Sequence, residues 1–165
     1  VTAPAVTPFR FQIRKNCGWA QPLFFCYADG TPFDLSTVTI NGQIRDGEAY
    51  TPTPRAWLAF TVAVPASGLC TVALSAHDTG TLPDSFAPLI GEINGIPHTD
   101  PKNPLCLGKG HVEVLAGGNT VVDEADAPTV PLEVISLVVG AASPATTRAL
   151  LQLSPPHVAY LVLVS

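Results

Sequence analysis

Hydrophobic and polar positions alternate along most of the first 116 residues. In the opening stretch Phe9, Phe11 and Ile13 fall on one side and Arg10, Gln12 and Arg14 on the other, the period of a half-buried strand. Residues 22–27 form a compact aromatic run that ends in Ala28-Asp29-Gly30, and Asp-Gly favours the positive φ angles of a tight turn. A second β-rich stretch, 38–45, closes on Asp46-Gly47 and contains Asn41-Gly42, which reads as a bulge or turn. Residues 48–54 are a polar, proline-containing loop. Residues 57–64 predict one strand, with Leu58, Phe60, Val62 and Val64 on the more apolar face and Trp57 assigned to core packing. A strand at 69–76, a segment at 78–83 too short and interrupted for more than a turn of helix, and strands at 86–96 and 105–115 follow. The segment 97–104, with Pro97, His98, Asp100, Pro101, Asn103 and Pro104, reads as an exposed hairpin tip.

Strand-length runs separated by turn signals are the pattern of an all-β chain, and no segment carries a sustained helical period. The expected fold is an antiparallel β-sandwich, immunoglobulin-like or jelly-roll-like, over residues 9–118. Residues 1–8 form an N-terminal arm. Residues 119–165 begin as an acidic linker with Asp123, Glu124 and Asp126, then become an apolar, strand-rich extension. From 134 onward the only formally charged residue is Arg148. Two runs there, 134–139 and 158–164, would aggregate if exposed alone, so they add strands to the sandwich or dock on a neighbour. The interface candidates are Val134, Ile135, Leu137, Val138, Val139, Tyr160, Leu161, Val162, Leu163 and Val164.

Composition sharpens that expectation. Charged residues make up 13% of the 165 and apolar ones 47%, against about 25% charged in a typical soluble domain. A small domain has proportionally more surface to cover, so part of this apolar content is expected to meet partners. The net charge of −5 and a pI near 5.1 disfavour nucleic acid, because eight basic residues scattered along the chain make no stripe. No apolar run reaches transmembrane length, so no membrane insertion is expected, and no secretory signal is visible at the first residues.

Candidate chemistry is sparse. Cys17, Cys26, Cys70 and Cys106 form no CxxC pair and read as small buried hydrophobes in a reduced environment. His111 with Glu113, and His98 with Asp100, are spaced for a shared face, but two ligands do not make a metal site. Nucleophile-elbow and phosphate-loop patterns are absent, and Gly108-Lys109-Gly110 reads as a strand bulge. The expectation is a non-enzyme with no cofactor. Trp19 and Trp57 keep a carbohydrate-binding module, with a host-surface glycan as ligand, as the alternative.

One resemblance adds to this reading. Phe11-Gln12-Ile13-Arg14, Pro22-Leu23-Phe24-Phe25, the turn Ala28-Asp29-Gly30-Thr31-Pro32-Phe33-Asp34-Leu35-Ser36 and Gln43-Ile44-Arg45-Asp46 together resemble small β-sandwich proteins of bacteriophage tails and baseplates. Ala73-Leu74-Ser75-Ala76-His77-Asp78-Thr79 and the strand from Gly108 to Val114 continue the likeness, which covers about residues 9–116. It implies a structural protein of the virion, assembled in the host cytoplasm, that binds neighbouring virion proteins and copies of itself. A capsid decoration or head–tail connector protein is the variant with the same physics. The resemblance supplies no catalytic residues.

Overall fold

Strand β1 (Pro8–Arg14) buries Phe9, Phe11 and Ile13 and exposes Arg10, Gln12 and Arg14, as its alternation requires. The computed structural model describes residues 8–47, 53–84, 89–116 and 133–140. After β1 come β2 (Trp19–Tyr27), β3 (Val38–Asp46), β4 (Ala56–Trp57), β5 (Ala59–Thr61), β6 (Leu69–Leu74), the short helix α1 (Ala76–Thr81), β7 (Leu89–Pro97), β8 (Leu105–Leu115) and β9 (Ile135–Gly140). They form two sheets, ordered β1-β8-β7-β3-β4 and β5-β6-β2-β9. Phe11, Ile13, Leu23, Phe25, Ile44, Val72, Leu89, Ile93, Leu107 and Leu137, all essentially inaccessible, fill the space between them. This is the expected all-β sandwich.

Its strands are not wholly antiparallel. Each sheet carries one parallel pair, β1 with β8 and β2 with β9. Parallel neighbours need a long crossover, and both pairs join strands roughly a hundred residues apart (Phe9 opposite Gly110, Leu23 opposite Ile135). Local alternation carries no information on so distant a partner.

Three local expectations are also corrected. The run 57–64 is not one strand: Trp57 pairs with Gln43 in the first sheet, whereas Ala59 pairs with Ala73 in the second. The chain changes sheets at Leu58, whose side chain is buried and whose amide donates to the Gly42 carbonyl. Asn41-Gly42 is neither bulge nor turn, since β3 stays in unbroken register with β7. Gly42 is small because a Cβ there would lie 3.0 Å from Leu58 and Phe60 and 3.1 Å from the Glu92 carbonyl oxygen. The bulge in β8 falls one step earlier than Gly108-Lys109-Gly110. Asn94 faces Cys106 and Ile93 faces Gly108, leaving Leu107 as the extra residue with its side chain in the core.

The Asp29-Gly30 turn is present, with the Gly30 amide donating to the Tyr27 carbonyl. The Phe9 ring stacks on Phe11 at 4.2 Å between centroids and lies over Gly91, Gly108 and Gly110 of the two neighbouring strands. At Gly110 a Cβ would collide with the Phe9 backbone itself, so this parallel pair depends on glycine. Helix α1 is capped by Ser75, which accepts from the Asp78 amide. The buried Thr79 Oγ1 sits 2.8 Å from the Cys17 carbonyl oxygen and 3.0 Å from that of Ala76, tying the helix to the β1–β2 turn.

Candidate assembly surfaces

The sequences of the four strands in the smaller sheet, WAQPLFFCY, AFT, LCTVAL and ISLVVG, contain no Asp, Glu, Lys, Arg or His. A strand in a two-sheet sandwich normally spends its alternate positions on solvent-facing polar groups. Here the inner positions (Leu23, Phe25, Val72, Leu137) go to the core, and the outer positions remain uncharged. Register places these outer residues in rungs. Ala59, Ala73 and Ala20 make one, Thr61, Thr71 and Pro22 the next, and Leu69, Phe24 and Ser136 the third. Leu69 is 47% exposed, a large hydrophobe on an open surface.

The larger sheet presents the opposite character. Arg10, Arg14, Arg45 and Lys109, half of the chain's eight basic residues, point outward from it with His111, Glu92 and Glu113. Arg10 and Gln12 both donate to Glu113, at 2.6 and 3.1 Å. Those hydrogen bonds, first from Gln12 and then from Arg10, together with the Arg10 charge, hold the Glu113 carboxyl below its ordinary range. The scatter of basic residues seen in the sequence is therefore partly gathered by the fold onto one face.

Among the interface candidates, the described ones separate by side. Leu137 is fully buried and reaches across to Gly108 of β8, and Ile135 and Val139 are partly buried against the same core. These three spend their side chains within the chain because β9 has joined the sheet beside β2. Val138 lies opposite Cys26 on the outer side, and Val134, just before the strand, is 51% exposed. The junction is held by Gln21, a buried amide whose Nε2 donates to the Glu133 carbonyl at 2.6 Å and the Pro22 carbonyl at 3.0 Å. Tyr160, Leu161, Val162, Leu163 and Val164 lie outside the described residues, as do residues 1–7 of the N-terminal arm and the acidic stretch 119–132.

The two tryptophans differ. Trp19 is partly buried with its ring 4.9 Å from that of Phe11. Trp57, expected in the core, is 65% exposed, because the change of sheet at Leu58 leaves β4 as a two-residue edge with its odd position outward. Cys26 and Cys70 are buried as expected, and burial pushes the Cys70 thiol up to about 12. Cys17 is half-buried, and Cys106 is exposed at the bulge, a correction to the uniform reading of the four.

Of the residues considered for metal, His98, Glu113 and Asp100 are engaged in local bonding. His98 Nε2 lies 3.1 Å from Thr39 Oγ1, Glu113 is taken by Arg10 and Gln12, and Asp100 accepts from Asn103. Among the described residues no three His, Cys, Asp or Glu side chains converge. Asp29 and Asp34 each accept from a backbone amide two residues on, the usual work of Asp in turns. No protein-family model and no curated protein matches the chain.

Proposed function

We propose that this chain is a structural protein of a phage particle, in the tail, baseplate or fibre, and acts by binding neighbouring proteins through the outer face of its smaller sheet. The observation that carries the binding role is the absence of charge from all four strands of that sheet. A solvated sheet face gains from charged side chains, which keep it soluble and blunt its edges. A face that meets another protein loses by them, because interface centres are depleted in charge. Placement in a phage particle rests on the motif resemblance over residues 9–116.

Immunogold labelling tests the placement, with an antibody raised against the folded chain and applied to purified particles encoded by the same genome. Gold at the tail or baseplate is the expected result. A chain present in infected-cell lysate but absent from purified particles would overturn it.

A carbohydrate-binding role is the second reading, favoured by the exposure of Trp57. An aromatic ring open to solvent on a sheet edge is able to stack on a sugar. Trp57→Ala should then abolish binding on a glycan array while leaving the unfolding midpoint unchanged. The assembly reading expects no glycan binding by either protein.

A further inference from the structure

Resting on the assembly reading, we infer that the uncharged face binds a second copy of the same face, paired about a two-fold axis. The face needs a partner that brings no charge to bury, since an unpaired buried charge is strongly unfavourable. The other broad face of this molecule, with Arg10, Arg14, Arg45 and Lys109, fails that condition, and the smaller sheet's own outer face meets it.

Shape points the same way. Along the strands the outer rungs run from a row of three alanines (Ala59, Ala73, Ala20), through a threonine-proline rung, to a ridge carrying Leu69 and Phe24. Ala20 and Phe24 are four residues apart, roughly 13 Å at the rise of a strand. A two-fold axis lying along the middle rung turns one copy over and reverses its strands. The Leu69–Phe24 ridge of each copy then settles on the alanine row of the other, and Thr71 meets Thr71. The arrangement is isologous and closed, so it yields a dimer and not a fibre.

Each rung spans three strands; three strands at ~4.8 Å and about five residues at ~3.3 Å give a footprint on the order of 240 Å². That falls well below the ~800 Å² per partner of a standard stable interface, which places the pair in the weak, concentration-dependent class.

Sedimentation velocity on the full chain, from micromolar to about 1 mM, tests the pairing with Thr71→Lys and Thr71→Glu. Thr71 is exposed, so neither change disturbs the core. The wild type should shift from monomer to dimer with concentration. Each variant alone should remain monomeric, because its new charges meet across the axis, while an equimolar mixture should regain the dimer. Leu69→Ala, which removes part of the ridge without adding charge, should weaken association at least several-fold. A wild type that stays monomeric, a variant that dimerises like wild type, or a mixture that stays apart would each overturn the two-fold pair. A monomeric wild type whose antibody still decorates particles removes the pair and leaves the phage role. A dimeric chain absent from particles does the reverse.

Discussion

The two sheets of this sandwich share one core and differ in what they show to the outside. The five-stranded sheet follows the common arrangement, with apolar residues inward and Arg10, Lys109, Glu92, Glu113 and their neighbours outward. The four-stranded sheet has the same inward half and an outward half of Ala, Thr, Pro, Phe, Leu, Ser, Val and the covered Cys26. Core packing does not explain the difference, because outer residues contribute little to it. What separates the sheets is the medium each outer face is suited to meet: water for one, protein for the other. A low overall charge content is then a local property of one sheet and of the C-terminal extension, averaged over the chain.

Adjacent residues in β9 give the most severe test of that contrast. Leu137→Ala should cost about 2–5 kcal/mol in urea-unfolding free energy, the range for emptying a packed leucine site. Val138→Ala, one residue away on the outer side, should leave the unfolding midpoint nearly unchanged. Equal losses at both positions would mean that the outer face is core and that the comparison between faces is mistaken. The attachment of β9 comes next in size. Gln21→Ala removes the amide that holds the Glu133 carbonyl and should cost about 1–2 kcal/mol. Hydrogen exchange should quicken selectively at residues 135–140, and protection unchanged there would show that sheet pairing alone holds the strand.

The smallest effect belongs to the charged face. Because hydrogen bonds from Gln12 and Arg10 lower the Glu113 carboxyl, the native state binds a proton there less readily than the unfolded chain does. The stabilisation is complete above the unfolded value, about 4.3, and is lost as pH falls through the lowered native value. Glu113→Gln should therefore match wild type least near neutrality and most in strong acid. The urea midpoints of the two, followed from pH 6 to pH 2, should converge on acidification. The gap at neutral pH should be small, as exposed pairs contribute little, and it should shrink with added salt.

Much of the fold was legible in the sequence. The alternation of Phe9, Phe11 and Ile13, the Asp29-Gly30 turn and the hairpin around Pro101 are each set by neighbours in the chain, whereas the helix Ala76–Thr81 begins where the strand was expected to run on to Ala76. Partnership between distant strands was not legible, so the parallel pairs of β1 and β9 went unseen. Nor was the change of sheet at Leu58, since alternation continues undisturbed through 57–64 while the strand beneath it changes partners. Trp57 was misplaced for that reason. The candidate surface was half visible. The uncharged C-terminal extension stood out as a block, but β2 is separated from β5 and β6 by β3, β4 and the charged residues around them, and only the sheet order assembles the three with β9 into one face.

The parallel pairing of β1 with β8 also sets a clock. Strand β1 is among the first described parts of the chain to be synthesised, and the strand it lies against begins nearly a hundred residues later, at Leu105. A ribosome adding roughly 5–20 residues per second leaves Phe9, Phe11 and Ile13 without their sheet for several seconds. The β7–β8 hairpin, by contrast, closes on itself soon after both its strands have emerged. Strand β1 therefore waits for β8, and in that interval the nascent chain leaves the Phe9–Phe11–Ile13 stripe unshielded.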